Sequence, residues 1–140
     1  MSLTIVNRVD GLDLYVAIMY EDRMCDGNPP PDGSWAKAGW YRVPPFQTLP
    51  PPYEGAPPLT FGGRKEVITG SIKRRYVYVH ARAWNGSNWV AGWGDRSPRN
   101  LPLHYGFKEC IWYQFDQPLD RCWFLEFYSP SQDLTVDLHL

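Results

Sequence analysis

R-Y-V-Y-V-H-A-R-A-W, Arg75 to Trp84, is the stretch on which the reading of the fold turns. Tyr76, Tyr78, His80 and Arg82 fall on one side of an extended chain; Val77, Val79, Ala81 and Ala83 fall on the other. Such period-two alternation of β-branched and aromatic residues marks a strand with one face in an apolar core. The second face is amphipathic, suited to water, another element or a ligand. A turn rich in Asn, Gly and Ser follows, then W-V-A-G-W from Trp89 to Trp93, so the sequence predicts a central β-hairpin.

Outward from this hairpin the same period recurs. Leu12 to Tyr20 alternates, with Leu12, Leu14, Val16, Ile18 and Tyr20 on one side, and the Asn7–Leu12 connection through Asp10-Gly11 suits a hairpin with a short strand at Leu3 to Asn7. Trp35 to Val43 reads as a strand with Gly39 as a bulge or a close backbone approach. Glu66 to Ile72 is a further strand. Cys110 to Phe115 and Cys122 to Tyr128 read as two strands joined by a turn at Asp116-Gln117-Pro118, which makes Cys110 and Cys122 cross-strand neighbours. Leu134, Val136, Leu138 and Leu140 end the chain in a strand docked in a sheet.

Between these runs lie breakers. Glu21 to Ser34 holds three successive prolines and Pro44 to Pro58 holds more, so both predict loops, the second extended, partly polyproline II, and lying over the surface or covering a sheet edge. The segment from Gly94 to Tyr105 has neither period and predicts a loop. The expected architecture is all-β: one domain over residues 1–140, an antiparallel β-sandwich of about nine strands with long Pro/Gly-rich loops.

Composition narrows the function classes. Fourteen Lys plus Arg against 15 Asp plus Glu leave a net charge of -1, so no global footprint for nucleic acid exists. No run of about 18 apolar residues predicts a transmembrane helix. With residue 1 as the true start, the N-terminus carries no secretory signal and the expected compartment is the cytoplasm; a chain trimmed of its leader would be secreted. Three cysteines, an odd number, fit a reducing compartment in which all three are free thiols, Cys110 and Cys122 being small buried hydrophobes close enough to pair, with a disulfide between them as the alternative.

Motifs for chemistry are sparse. His80, His104 and His139 lie far apart and none has zinc-type spacing to a cysteine, so no metal is predicted. Asp22, Asp26 and Asp32 offer oxygens to calcium but lack the alternate-ligand pattern of an EF-hand, and read as a solvated loop. No G-x-S-x-G, phosphate loop or other catalytic signature occurs, which leaves no catalytic residue and no cofactor to name. Pro50-Pro51-Pro52-Tyr53 has the P-P-x-Y form that WW domains read, against the simpler reading of an exposed loop. Lys73-Arg74-Arg75 with Arg96 and Arg99 reads as solvated charge rather than an anion reader. Asn85-Gly86-Ser87 matches a glycosylation acceptor, which has meaning only after secretion.

Aromatics are the anomaly: 7 Trp, 9 Tyr and 6 Phe in 140 residues. Filling a core poor in leucine is the plain explanation, and a stacking surface is the sharper one. The best candidates for such a surface are Trp84, Trp89 and Trp93 around the N-G-S-N turn, with Tyr78 and His80 on the amphipathic face of the strand before it.

The order of V-N-R, L-Y-V-A-I-M-Y, W-A-K-A-G-W-Y-R-V-P-P, R-Y-V-Y-V-H-A-R-A-W, F-K-E-C and T-V-D-L resembles a bacterial family of small domains of unknown function. That family carries G-W-W-x-I-x-P-G-x-C and Y-Y-V-Y-A type motifs. The resemblance spans most of the chain and implies a compact β-sandwich, with no activity attached. Phe46-Gln47-Thr48 stands where the family has G-x-C, and Val6 stands near its first cysteine, so no disulfide pattern carries over. The expectation for function is a non-enzymatic binding or interaction domain, its ligand a glycan, a lipid or a protein. The alternatives are a membrane- or glycan-engaging effector and, third, an enzyme with a site assembled from separated residues.

Overall fold

The computed structural model describes residues 2–22, 25, 35–69, 72–102, 106–111, 119–128 and 133–140, without the side chains of 60, 61, 68, 69 and 72–75. Within them run twelve strands: β1 (Ser2–Asn7), β2 (Asp13–Asp22), β3 (Trp35–Val43), β4 (Gln47–Leu49), β5 (Leu59–Phe61), β6 (Arg64–Thr69), β7 (Ile72–Trp84), β8 (Trp89–Trp93), β9 (Arg96–Pro102), β10 (Phe107–Cys110), β11 (Leu119–Tyr128) and β12 (Asp133–Leu138). Seven of them make the large sheet, in the order β10-β3-β2-β7-β11-β9 with β8 also on β7; β12-β1-β6 make a small one, and β4-β5 a two-stranded ribbon. The small sheet packs on the large one as a sandwich.

Between the two sheets lies an aliphatic core. Leu14, Val16 and Ile18 of β2 and Val77, Val79, Ala81 and Ala83 of β7 meet Leu3 and Ile5 of β1 and Val136 and Leu138 of β12. The alternation read from Arg75 to Trp84 therefore points the way it predicts. Each fully buried Val or Leu contributes about 1.5–3 kcal/mol through removal of apolar surface from water.

Several pairings differ from the sequence expectation. β1 and β2 do not form a hairpin: β1 pairs parallel with β12 and antiparallel with β6. The chain changes sheets at the corner after Asn7, and that buried side chain satisfies the corner's backbone. Its Nδ2 donates to the carbonyls of Leu12 (2.7 Å) and Val43 (3.1 Å), while its Oδ1 accepts from the Val9 amide (2.8 Å). The stretch from Gly94 holds a strand, β9, despite Pro98 and Pro102. It lies at the edge of the sheet, where a missing amide donor is tolerated.

The cysteine reading is corrected too. β10 pairs with β3, and β11 lies between β7 and β9, so Cys110 and Cys122 are not cross-strand neighbours. Cys110 is joined to Cys25 in a disulfide across 85 residues of sequence, and Cys122 alone is free and buried. Spacing along the chain predicts a hairpin partner only when the intervening segment folds straight back, and these two strands sit at opposite sides of β3, β2 and β7. The turns expected at 116–118 and 129–131, with Asp26, Asp32, His104 and Trp112, lie outside the described residues.

Candidate functional site

The second face of the large sheet is where the chemistry collects, and two irregularities build it. The first is a bulge in β3: Val16 pairs with Tyr41 but Ile18 pairs with Ala38, so Gly39 and Trp40 together oppose Ala17. A Cβ on Gly39 would sit 3.1 Å from Ala17 and from the Phe107 ring, tighter than nearly all real contacts. Glycine thus gives this close approach room that a larger residue would find only by displacing its neighbours, and the extra residue swings the Trp40 indole onto this face. Both senses of the sequence reading at Gly39, bulge and close approach, hold.

A second irregularity is a fork beside β7. One edge of β7 pairs with β11 over Tyr76–Val79 and then with β8 over Ala81–Trp84. The chain passes from β8 to β9 by crossing β11 at Gly94, where any Cβ would collide with the Trp123 carbonyl and carbon. His80 stands at the branch point. Trp123 falls within a register shift of β11 against β9, and its carbonyl turns to His80 Nδ1 at 2.7 Å.

Arg82 is the hub of the face. Its Nε–H reaches His80 Nε2 at 3.3 Å, and its Nη2 lies 2.9 Å from Cys122 Sγ and 2.9 Å from Asp120 Oδ2. The guanidinium carbon sits 4.6 Å from the ring centre of Trp40 and 5.1 Å from that of Trp89, a cation held between two indoles. Trp40 is itself fixed by donating Nε1–H to the Pro102 carbonyl at 2.8 Å. Trp89 is met edge-on by Tyr15 and Trp84, with centroids 5.7 and 4.9 Å away. Even so its surface remains 47% exposed. Arg42 and Asp13 form a second ion pair on the neighbouring strands at 3.2 Å.

These contacts set protonation. The Trp123 carbonyl accepts, so Nδ1 of His80 carries the hydrogen; Nε2 then offers its lone pair to Arg82. Burial, reinforced by the Arg82 charge, pushes the imidazole from 6.5 down to about 4, against the pull of the Trp123 hydrogen bond and Asp120. His80 is neutral at pH 7, with both nitrogens engaged. Burial likewise pushes the Cys122 thiol up to about 11, although the Arg82 charge opposes it. Neither the imidazole nor the thiol is poised for base or nucleophile work at neutral pH.

Of the five residues singled out from sequence, the structure brings Trp84 and Trp89 together and sets His80 beneath them through Arg82. Tyr78 lies further down the same face, packed edge-on against Trp35 at 5.5 Å. Trp93 is turned away. Ala83 pairs with Ala91 and Trp84 with Trp89, so a bulge at Val90 flips the strand, and Trp93 packs on the aliphatic core while donating Nε1–H to the His139 carbonyl at 3.2 Å. Sequence reasoning missed Tyr15 and Asp120 as members of the cluster. Arg82 carried a signal in its alternation with His80, but Asp120 and Cys122 arrive only through the packing of β11.

Among the described residues, no group of three or more His, Cys, Asp or Glu side chains is arranged to hold a metal, and no helix is long and apolar enough to cross a membrane. No family model matches the chain, nor does any curated protein or solved structure.

Proposed function

We propose that this β-sandwich is a non-enzymatic binding module whose contact surface is the exposed rim of the large sheet, formed by Tyr15, Trp84 and Trp89 around Arg82. The observation that carries this reading is the Trp89 indole: rigidly backed by a guanidinium, framed by two aromatic rings, and still half open to solvent. A preorganised aromatic surface loses little conformational entropy on binding, which is how such residues contribute affinity. The state of the polar groups supports the same reading, because His80, Arg82, Asp120 and Cys122 are engaged with one another rather than aimed at a reacting atom. The Cys25–Cys110 bond supports residence in an oxidising compartment rather than the cytoplasm.

The test is a glycan array and liposome sedimentation performed side by side on the wild type and Trp89→Ala. Binding in either assay that disappears in the variant is the expected result. Binding that survives Trp89→Ala undiminished would move the contact surface elsewhere, the exposed Tyr76–Tyr128 pair being the next place to look.

A further inference from the structure

We propose that the arm formed by β4 and β5 is a ligand for a polyproline-reading domain of the WW type. Pro50 and Pro51 seat between aromatic rings of the partner's groove, and Tyr53 enters the pocket beside them. This goes beyond the rim reading and shares no residue with it.

The arm is built for display. Among the described residues β4 and β5 pair only with each other, Leu49 opposite Leu59, and they belong to neither sheet of the sandwich. At the base the Gly63 amide donates to the Pro44 carbonyl at 3.0 Å, and the Arg8 guanidinium carbon stands 5.5 Å from the centre of the Phe46 ring. Any Cβ on Gly63 would strike that ring, so the base closes tightly. Beyond it, residues 47–59 are exposed save for Ala56. Tyr53, at the tip, is 70% exposed.

Proline chemistry fixes the shape of the tip. Pro50 and Pro51 each have φ locked at about −65° by their own ring, and ψ pushed to the extended range by the proline that follows. That combination is polyproline II, so this piece of the ligand is ordered before it binds and loses little entropy on docking. The chain then turns. The Ala56 amide donates to the Tyr53 carbonyl at 3.1 Å, with Gly55 at φ +86° in the place where a type II turn demands a positive φ. Tyr53 therefore ends the polyproline run and opens the turn, with its ring in solvent.

The same chemistry excludes other partners. A strand added along the tip would need amide donors, and the prolines have none. In a bilayer, a polyproline II segment would carry carbonyls without internal hydrogen bonds into hydrocarbon, together with the Glu54 carboxylate. Nucleic acid would meet that carboxylate and no Lys or Arg, because Glu54 is the only charged residue between Pro44 and Phe61. Nor does the arm contain a P-x-x-P spacing, the pattern that SH3 domains read. What remains is recognition through proline rings and a tyrosine, the P-P-x-Y pattern met by an aromatic-lined groove.

The experiment titrates the full chain, disulfide intact, by calorimetry against a panel of isolated WW domains that bind P-P-x-Y peptides. SH3 domains, and phosphatidylcholine vesicles with and without phosphatidylserine, are the comparison probes. At least one WW domain binds with a Kd below about 100 μM, and Tyr53→Ala or Pro51→Ala each weakens it about tenfold or more. Pro52→Ala stays within about threefold, since P-P-x-Y leaves that position open. All three arm positions are exposed, so the melting curves of these variants coincide with that of the wild type. Trp89→Ala binds the WW domain as the wild type does, which separates this outcome from that of the rim. No WW binding tighter than about 1 mM, affinity untouched by Tyr53→Ala, or equal binding to an SH3 domain each overturns the proposal. Tyr53-dependent attachment to vesicles without WW binding overturns it too, and makes the arm a membrane contact.

Discussion

The two faces of the large sheet share the same strands and differ in almost everything else. On the inner face, β2 and β7 present Leu14, Val16, Ile18, Val77, Val79, Ala81 and Ala83, all fully buried. These seven side chains carry no polar atom, so this part of the face is specified by area and volume; at its end Tyr20 is buried too, with its hydroxyl hydrogen-bonded to Asp22. On the opposite face the same two strands present Tyr15, Ala17, Met19, Tyr78, His80 and Arg82, and burial has to be reconciled with nitrogen, oxygen and sulfur. That reconciliation uses irregular backbone: the Gly39 bulge that turns Trp40 inward, and the fork that frees the Trp123 carbonyl for His80. One face stabilises by exclusion of water, and the other arranges groups in a fixed pattern at the boundary with water.

If this contrast is right, substitution on the inner face should be the most damaging. Val79→Asp would place an unpaired carboxylate between the sheets and should cost more than about 3 kcal/mol, unfolding the protein. A soluble variant with an unchanged thermal midpoint would overturn the assignment of faces.

Next in size comes the disulfide, which ties the connection after β2 to the edge strand β10. Replacing Cys25 and Cys110 by Ser should cost about 2–4 kcal/mol. Thiol titration of the unfolded, unreduced wild type should find one free cysteine, Cys122. In the native state that thiol should resist modification, being buried with its ionisation pushed up. Three reactive thiols after unfolding would dissolve the bond.

The polar face should reveal itself through pH. His80 is held neutral when folded, near 4, and takes a proton at about 6.5 when unfolded. Its contribution is complete above pH 6.5 and is lost as the pH falls towards 4, because the unfolded chain then binds a proton that the folded one refuses. Up to about 3 kcal/mol of stability should disappear across that window. His80→Gln should flatten the slope between pH 6.5 and 5, where few carboxylates titrate. An identical slope in the variant would mean that His80 protonates freely in the folded state.

The smallest effect separates the rim from both faces. Trp89→Ala should change stability by no more than about 1 kcal/mol, since nearly half of the ring is already in water and its cation–π and edge contacts are each small. Acrylamide should quench it readily. A loss of about 3–5 kcal/mol, the signature of a truncated core aromatic, would return Trp89 to the interior and end its candidacy as a contact residue.

By itself the sequence determined the strand-rich class, the inward face of β7, the β7–β8 hairpin and the bulge at Gly39. These follow from a period of two and from glycine chemistry, which act between neighbours along the chain. Only the tertiary structure decided that β1 lies parallel to β12, that Cys110 reaches back to Cys25, and that Trp93 faces the core while Trp89 faces out. It also decided that Asp120 and Cys122 arrive beside Arg82. Each of these depends on which strand edges meet and where one extra residue shifts a register. A single residue inverts every side chain beyond it, and nothing local in the sequence records on which side of a bulge a partner strand will pair.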